Sequence, residues 1–275
     1  MLEIPEAITM THQLKNTVIG KTVVYAIAAS SPHGFAWYAG DPVTYGDVLT
    51  GLTIEDVQSH GGQFELWMGD MRLCFNDGTN LRYLAKGAKR PEKHQLLMEF
   101  EDGDALVCTI QMYGGIILFK DGTNDSFYYL VSKERPNPLT DAFDLAYFTS
   151  LLKDAEKKLS AKAFLATQQR IPGLGNGVCQ DILWNAKIHP KRKMNTVPDA
   201  EFETLFHEVK QQLALMTEKG GRDTEKDLFG NKGGYITTLS KNNVGLPCPV
   251  CGTNIKRMAY LGGNVYVCEG CQGVY

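Results

Sequence analysis

The stretch CPVCGTNIKRMAYLGGNVYVCEGC, residues 248–271, determines how the last part of this chain folds. It contains two Cys-x2-Cys pairs separated by sixteen residues, a spacing typical of four thiolates that bind one Zn²⁺ tetrahedrally. The residues between the pairs predict two short strands joined through Gly262-Gly263. We therefore predict a zinc-ribbon hairpin that holds one structural zinc ion through Cys248, Cys251, Cys268 and Cys271.

The alternative use of four such cysteines is a pair of disulfide bonds in a secreted protein. Residues 1–20 do not favour it, because they carry two glutamates, a histidine and a lysine where a signal peptide has a continuous apolar segment. The remaining cysteines, Cys74, Cys108 and Cys179, lie singly in apolar surroundings and are predicted to be buried thiols. A reducing cytoplasm is the expected location.

Length and charge define the broad class of the protein. The 275 residues suffice for two domains and a small zinc module, and no apolar run approaches the roughly 18 residues of a membrane helix, so no membrane partner is expected. The net charge is −3, but residues 1–150 carry 11 basic and 19 acidic side chains, whereas residues 151–275 carry 17 and 12. This asymmetry indicates a nucleic-acid face in the second half. Ordinary scatter of surface charge is the alternative.

The first half is predicted to be rich in β-strands. Three dipeptides typical of hairpin turns, Asp77-Gly78, Asp102-Gly103 and Asp121-Gly122, are flanked by runs that favour strands. These runs are residues 63–68, 94–100, 105–112 and 116–119. An antiparallel β-sandwich or barrel is therefore expected. A helix precedes it, because Pro5 suits a first helical turn and apolar residues share one face before Gly20.

The second half is predicted to be helical. Two prolines, Pro136 and Pro138, indicate a linker, and apolar residues then recur at helical spacing up to about residue 216. The expected fold is an α+β multidomain chain. It comprises an N-terminal β-sandwich domain with a leading helix at 1–133, a helical domain at 134–240 and the four-cysteine zinc finger at 241–275.

A glycine-rich turn, RIPGLGNGV at residues 170–178, leads into an apolar helix within the helical domain. Glycines let a backbone approach a phosphate closely, and a helix N-terminus offers free N–H groups and positive potential. A plain turn between two helices would account for the same residues. The turn indicates phosphate binding only when it is considered together with the other features of the chain.

Taken together, these features resemble the formamidopyrimidine-DNA glycosylase and endonuclease VIII family of base-excision repair enzymes, over nearly the whole chain. That family begins Met-Pro-Glu-Leu-Pro-Glu, and its helix-two-turn-helix motif reads Gly-x-Gly-Asn. The matching segments here are Met1-Leu2-Glu3-Ile4-Pro5-Glu6, Gly173-Leu174-Gly175-Asn176, Ile188-His189-Pro190, Gly220-Gly221 before Thr224, and Tyr266-x-Cys268-x2-Cys271-Gln272.

The resemblance implies how DNA is held. Asn176, with the turn at Gly173 and the amides of Gly175 and Gly177, is expected to bind the DNA backbone beside the lesion, which positions the duplex without reading sequence. The zinc hairpin is expected to place its turn in the minor groove. The damaged nucleotide is expected to be flipped into a pocket between the domains.

The resemblance also implies catalytic roles. Glu3 is expected to activate the sugar of the damaged nucleotide, and Glu6 to shape the pocket, with residues 220–234 as a flexible cap over the flipped base. Each glutamate has a simpler interpretation. Glu3 could be a terminal carboxylate without a role, and Glu6 an acid favoured by the dipole at a helix start.

The sequence departs from the family at the nucleophile. The family attacks the sugar with the amine of an N-terminal proline, which forms a Schiff base that permits strand cleavage. Here Leu2 stands at that place and is large enough to block removal of methionine. The free amine is then that of Met1, displaced by up to ~3.8 Å, whereas reaction needs an approach of about 3–3.5 Å. The lyase step is expected to be lost or weak.

The DNA-contacting residues depart as well. The family's hairpin lysine matches Gly62, and the arginine of its zinc turn matches Gly263. An Arg-Arg-Phe-Gly segment that fills the space of the flipped base matches residues 111–114, so Gln111 and the aromatic Tyr113 are candidates for that role, although Tyr113 could equally be an ordinary sheet residue. Other basic residues could compensate for the lost cations, namely Lys162, Arg170, Lys187, Lys191, Arg192, Lys193, Lys256 and Arg257.

These features predict a glycosylase that binds damaged duplex DNA, flips the lesion and hydrolyses the N-glycosidic bond without efficient lyase activity. A non-catalytic damaged-DNA-binding protein is the alternative within the family, and a zinc-ribbon protein of transcription or RNA metabolism is the alternative outside it. The expected partner is double-stranded DNA with a damaged base or an abasic site. We expect a monomer without a nucleotide cofactor, cytoplasmic and associated with the nucleoid when bound to DNA.

Overall fold

Helix α1 (Ile4–Val18) opens the fold in the computed structural model, which describes residues 2–153 and 156–274. Pro5 lies in its first turn, where the missing N–H costs no hydrogen bond. The helix buries an apolar face that includes Leu14 and Val18, and the chain turns away at Gly20, where φ is +79°. The predicted leading helix is therefore confirmed.

A seven-stranded sheet follows α1. Its strands are β1 (Val23–Ala28), β2 (Ala36–Tyr38), β3 (Asp56–His60), β4 (Gln63–Met68), β5 (Met71–Leu84), β6 (Leu96–Phe100) and β7 (Ala105–Lys120), with the short helix α2 (Tyr45–Leu49) between β2 and β3. The order across the sheet is β1-β6-β7-β5-β4-β3, antiparallel throughout, and β2 pairs with β7 in parallel.

The two long strands β5 and β7 lie side by side in the middle of the sheet. The register between them shifts between Asp77 and Thr79. The first part of β5 pairs with the last part of β7, and the last part of β5 pairs with the first part of β7. Apolar side chains from both parts, such as Phe75 and Leu81, join one buried core that also contains Leu14 of α1. The antiparallel β-sandwich with a leading helix is therefore confirmed.

Two of the three predicted hairpin turns were wrong. Asp102-Gly103 does join β6 to β7, but Asp77-Gly78 lies inside β5 at the register shift, and Asp121-Gly122 leads towards a helix. Glycine is required at Gly78 because a Cβ there would lie 2.2 Å from the carbonyl oxygen of Tyr113. The predicted strands at 105–112 and 116–119 are accordingly one continuous strand, β7.

The second half is helical, as predicted. Its helices are α3 (Phe127–Glu134), α4 (Leu145–Ser150), α5 (Ala161–Ala166), α6 (Asn176–Asn185) and α7 (Asp199–Glu218). Helix α3 packs on the sheet through Tyr129, which contacts Cys74 and Phe119. The others enclose a separate core in which aromatic rings stack on one another, among them Phe148 and Phe202 with ring centroids 4.8 Å apart.

The C-terminal hairpin consists of β8 (Lys256–Tyr260), β9 (Gly263–Val267) and the short helix α8 (Glu269–Gln272). It packs against α6, because Gln180 accepts a hydrogen bond from the amide of Tyr266 and Gln272 donates to the carbonyl of Ile188. Within the described part of the chain, none of the helices is both long and apolar enough to cross a membrane.

Backbone contact between glycines joins the sheet to the helical half. Gly61 and Gly62 form the β3–β4 turn and lie on the Pro172-Gly173 turn that precedes α6. A Cβ on Gly173 would lie 2.1 Å from the nitrogen of Gly62, and one on Gly61 would lie 2.9 Å from Pro172. Side chains are thus sterically excluded from this contact.

Substituting Gly173 with alanine is expected to destabilise the protein by about 3 kcal/mol, because the methyl group overlaps with Gly62 and the residue has φ of +79°. Gly20→Ala is the matched control, since Gly20 has the same φ but nothing within 4 Å of its Cβ position. We expect about 1 kcal/mol for the control. Urea unfolding measures both, and equal losses would contradict the importance of the contact.

Candidate functional site

The chain start is anchored between the sheet and the helical half. The amide of Leu2 donates to the carbonyl of Asp77 at 2.8 Å, and the amide of Ile4 donates to the carbonyl of Gly173 at 3.1 Å. The side chain of Leu2 packs against the sheet core. Position 2, which holds the family's nucleophile, is therefore occupied here by a fixed leucine. Met1, the other predicted source of an amine, lies outside the described residues.

Glu3 caps helix α6 from a distant part of the chain. Its two carboxylate oxygens accept hydrogen bonds from the amides of Gly177 and Val178, each at 2.8 Å. These N–H groups have no partner within the helix, and the helix dipole favours a negative charge at this end. The side chain of Glu3 is buried, so it is fixed rather than a loose terminal carboxylate.

Arg222 is the buried cation of the site. Its Nε and Nη2 donate to the two oxygens of Glu6 at 3.0 and 2.8 Å, and its Nη1 lies 3.5 Å from Oε1 of Glu3. Burial opposes the charge, but the carboxylates of Glu3 and Glu6 raise the pKa of Arg222 above its usual range. Glu6 is thus one half of a buried ion pair with a planar two-point geometry.

The glycines of the turn at residues 173–177 make room for these charged groups. A Cβ on Gly175 would lie 2.8 Å from the carboxylate of Glu3, and one on Gly177 would lie 1.5 Å from Nη1 of Arg222. The sequence suggested that these glycines let the backbone approach a phosphate. In the structure the amide of Gly177 already donates to Glu3, and both glycines admit side chains of the protein itself.

Sequence reasoning missed Arg222. The preceding pair Gly220-Gly221 was recognised, but the arginine directly after it was not assigned a role. The available signal was charge, because two glutamates within the first six residues of a folded chain need a counter-ion once they are buried. The sequence alone does not show that Glu6 and Arg222, which are 216 residues apart, lie together. Their pairing is visible only in the folded structure.

Replacing Arg222 with methionine is expected to cost about 3–5 kcal/mol, because two buried carboxylates lose their cation. The control is Arg257→Met, a substitution at an exposed position on β8 that is expected to change stability by less than about 0.5 kcal/mol. Thermal and urea unfolding measure both variants. Similar stability of R222M and the parent protein would show that the ion pair does not hold the junction together.

The segment from Gly220 to Gly234, expected as a flexible cap, is anchored at its centre. Gln13 of α1 donates to Asp227 and accepts from the amide of Leu228, whose side chain is buried in the sheet core. Further along, Asp181 of α6 accepts hydrogen bonds from Tyr235 and from the amides at 238 and 239. The segment is thereby fixed to α1 at its centre, and the residues that directly follow it are fixed to α6.

Two open spaces meet at Glu3. The larger is a cleft of about 570 Å³ between the sheet, α3 and the turn before α6, and its lining includes Leu2, Glu3 and Tyr113. The smaller, of about 220 Å³, lies between α6, the zinc hairpin and the segment that carries Arg222. Glu3 is therefore a buried residue that belongs to the lining of both spaces.

Predicted DNA-contacting residues line both spaces, among them Asn176 in the smaller and Tyr113 in the larger. Asn176 begins α6 and donates through Nδ2 to the carbonyl of Asn264 at 3.0 Å, and a Cβ on Gly263 would be 3.9 Å from its side chain. On β7, Gln111 is exposed, and the ring of Tyr113 lies 5.9 Å from that of Trp37. The turn of the zinc hairpin thus contacts the start of α6.

Several basic residues expected to compensate for lost cations are used structurally. Lys162 is buried and donates to the carbonyl of Tyr260, and Arg170 is buried and donates to backbone carbonyls around Thr167. Ion pairs occupy Arg192 and Lys256. Four of the eight candidate residues therefore make contacts within the protein. Fewer of them are available to bind DNA phosphates than the sequence suggested.

The four C-terminal cysteines form a cluster suited to a metal ion. Their sulfur atoms lie within 4.8 Å of one another, with Cys248 and Cys271 at 3.8 Å and Cys251 and Cys268 at 3.2 Å. Four sulfurs at about 2.3 Å from one ion would be separated by comparable distances. Hydrogen bonds from Thr253 lower the pKa of Cys251 to about 6, which favours the thiolate that a metal requires. The donor set fits a tetrahedral ion.

Residues 135–227 match the family model for the formamidopyrimidine-DNA glycosylase H2TH domain. A formamidopyrimidine-DNA glycosylase from Streptococcus pyogenes serotype M6 is 29% identical over 278 residues, covering 99% of this chain and 98% of the relative. The corresponding protein from Lactococcus lactis subsp. cremoris is 28% identical, covering 99% of each.

Solved structures share the fold. A complex of Lactococcus lactis Fpg with DNA containing an abasic site superposes with a TM-score of 0.81, covering 98% of this chain and 99% of that one at 23% identity. MutM in complex with DNA containing carbocyclic 8-oxo-G gives a TM-score of 0.82, also at 23% identity.

The β-sandwich, the helix-two-turn-helix segment and the four-cysteine hairpin together give the fold of the solved Fpg structures. Full-length similarity to curated relatives and the matching domain model show that this chain resembles formamidopyrimidine-DNA glycosylases. It carries Leu2 at the position of the N-terminal proline that the sequence comparison assigned to that family.

Proposed function

We propose that this protein removes a damaged base from duplex DNA by hydrolysing the N-glycosidic bond. The observation that carries the proposal is the position of Glu3, which is fixed by the N-terminus of α6, faces Arg222 and lines both open spaces. A carboxylate held in this way can orient a water molecule or stabilise positive charge that develops on the sugar. Glu6 contributes indirectly, because it fixes Arg222 beside Glu3.

The lyase step is proposed to be weak or absent. Position 2 carries a leucine whose amide is hydrogen-bonded and whose side chain packs in the core, so it offers no nucleophile. The family's hairpin lysine corresponds to Gly62, where a Cβ would already lie 3.1 Å from both Gly173 and Leu2. The described lining of the larger cleft contains no lysine that could replace either amine.

Damaged duplex DNA is proposed to contact α6, the zinc hairpin and the middle of β7. Asn176 and the turn at Gly173 and Gly175 would contact the backbone, with the hairpin turn at Gly263 beside them. Gln111 and Tyr113 would occupy the space left by the flipped nucleotide. Gly177 would act through Glu3, since its amide donates there.

The first test incubates the protein with duplexes that carry an oxidised purine, a methylated purine, an oxidised pyrimidine or an abasic site. The expected product is an abasic site that breaks only in hot alkali, without a covalent adduct in borohydride. Glu3→Gln is expected to abolish base release, because the amide cannot take a proton from water. Its control is Glu55→Gln, an exposed acid before β3. Equal activity of E3Q and the parent would refute the role of Glu3.

Two other outcomes are informative. A borohydride adduct would show that an amine, such as that of Met1, has replaced the proline. Tight binding to damaged duplexes without base release would favour the non-catalytic lesion-binding protein. One observation favours that alternative, because both oxygens of Glu3 already accept hydrogen bonds from α6 and have limited freedom to react.

We further propose that the four cysteines bind one structural Zn²⁺, which stabilises the hairpin and so the contact between Asn176 and Asn264. Cys268→Ser is expected to lower bound zinc from one ion per chain towards none and to weaken DNA binding, while the sheet domain stays folded. The matched control is Cys74→Ser, at a buried cysteine where a hydroxyl can still donate to Gln63. Elemental analysis and circular dichroism measure the outcome, and unchanged zinc content in C268S would contradict the proposal.

A further inference from the structure

The space beneath Glu6 is too small for a base. The cavity between α1 and the segment at Gly220–Gly234 has a volume of about 10 Å³ and is bounded by Glu6 and Arg222. A volume of this size holds at most one water molecule. The guanidinium of Arg222 fills the region and is fixed there by two carboxylates, so the space cannot open by a simple side-chain rotation.

The larger cleft lies on the opposite side of Glu3 and has the size of a small-molecule site. Its volume of about 570 Å³ falls within the usual range for ligand pockets. Leu2 and Glu3 belong to its lining, so a base that entered the cleft would lie next to the proposed reaction centre.

Aromatic rings form the rim of the cleft. Trp37 of β2 and Tyr113 of β7 have ring centroids 5.9 Å apart, and Tyr128 of α3 also lines the cleft. The side chains of Trp37 and Tyr128 are 49% and 62% exposed. Exposed rings of this kind stack on nucleobases, and their faces attract cations more strongly than neutral groups.

The charged side chains that line the cleft are acids. Its lining includes the acids Glu3 and Asp77, and its twenty lining residues, all of them described, include no lysine, arginine or histidine. A phosphate would be repelled, whereas a positively charged ring would be attracted by the carboxylates as well as by the aromatic faces. The smaller space differs, since its lining includes the cations Arg222 and Lys241 as well as the acids Glu3 and Glu225.

Hydrogen bonds hold the side chains at the floor of the cleft. Gln63 donates to the hydroxyl of Ser132 and accepts from the thiol of Cys74, and the hydroxyl of Tyr129 donates to the buried Glu65. Burial and the neighbouring carboxylate raise the pKa of Tyr129 above its usual range, so it stays protonated. Lys133 donates to the same hydroxyl at 3.0 Å and lies 3.8 Å from the carboxylate of Glu65, so this cation is offset by a buried acid.

We propose that this cleft receives a purine that carries a positive charge because a ring nitrogen is alkylated, and that such bases are the lesions released by this protein. The inference rests on the glycosylase activity proposed above and specifies its substrate class. The occupant is a base rather than a phosphate, because the cleft combines aromatic rings with carboxylates and lacks cations.

The chemistry of such a lesion suits a chain without an amine nucleophile. When the bond between C1′ and the purine nitrogen breaks, its electron pair moves onto the cationic ring, and the base leaves as a neutral molecule. Water adds its oxygen to C1′, and its proton passes through Glu3 to solvent. The leaving base needs neither protonation by the enzyme nor a covalent intermediate, and the products are a free base and an abasic sugar.

The decisive experiment compares release of 7-methylguanine and 3-methyladenine from dimethyl sulfate-treated duplex DNA with release of 8-oxoguanine, after subtraction of spontaneous loss. We expect the methylated purines to be released at least about tenfold faster than 8-oxoguanine. Faster release of the neutral oxidised base would overturn the inference and leave the glycosylase assignment intact. No release from any duplex would instead overturn the proposed function.

Variants of the lining test the site itself. Asp77→Asn and Trp37→Ala are each expected to slow release of methylated purines about tenfold. Asparagine tolerates the positive φ of 47° at position 77, so the fold should persist. The matched controls are Asp125→Asn and Phe35→Ala, which change exposed side chains that do not line the cleft. Equal effects of control and lining variants would contradict the assignment.

Binding measured without catalysis separates the two proposals further. Trp37 lies in the cleft, so its fluorescence should be quenched by 7-methylguanosine in mildly acidic buffer, where that nucleoside is cationic, and much less by guanosine. The quenching should be reduced in D77N and retained in D125N. If the two nucleosides bind equally, the charge preference of the cleft is wrong, whatever the result of the release assay.

Discussion

The buried pairing of Arg222 with Glu6 and Glu3 is the interaction on which the site depends. It connects the first helix, the start of α6 and the segment after α7, three parts of the chain that are far apart in sequence. A buried arginine is costly unless its hydrogen bonds are satisfied, and here two carboxylates satisfy it in a planar geometry. The same pairing fills the region beneath Glu6 and leaves Glu3 facing the open cleft.

Leu2 at the place of the family's proline and the lining of the cleft bear on the same proposed reaction. In a chain that formed a covalent intermediate, an amine would have to lie beside Glu3, and cations would help to hold the phosphates around the lesion. Here position 2 is part of a hydrogen-bonded, packed segment, and glycine stands at position 62. The remaining groups are a carboxylate, aromatic rings and a cleft whose described lining has no cationic side chain. This combination suits hydrolysis of a labile N-glycosidic bond more than covalent displacement of a base from a stable one.

Much of the architecture could be predicted because it depends on local patterns. The cysteine spacing indicated the hairpin, the helical spacing of apolar residues indicated α7, and Pro5 indicated α1. The role of Gly78 could not be predicted, because a glycine in a register shift and a glycine in a hairpin turn have the same neighbours in sequence. Arg222, the functions of Gly175 and Gly177, and the cleft itself arise from contacts across the fold, which no local pattern encodes.

The glycine contact between Gly62 and Gly173 limits which substitutions the junction accepts. A Cβ on Gly173 would lie 2.1 Å from the nitrogen of Gly62, whereas a Cβ on Gly62 would lie 3.1 Å from Gly173 and from Leu2. Position 173 therefore excludes a side chain, while a side chain at position 62 requires its neighbours to shift by a few tenths of an ångström. The two sides of the same contact thus differ in how freely their residues can be exchanged.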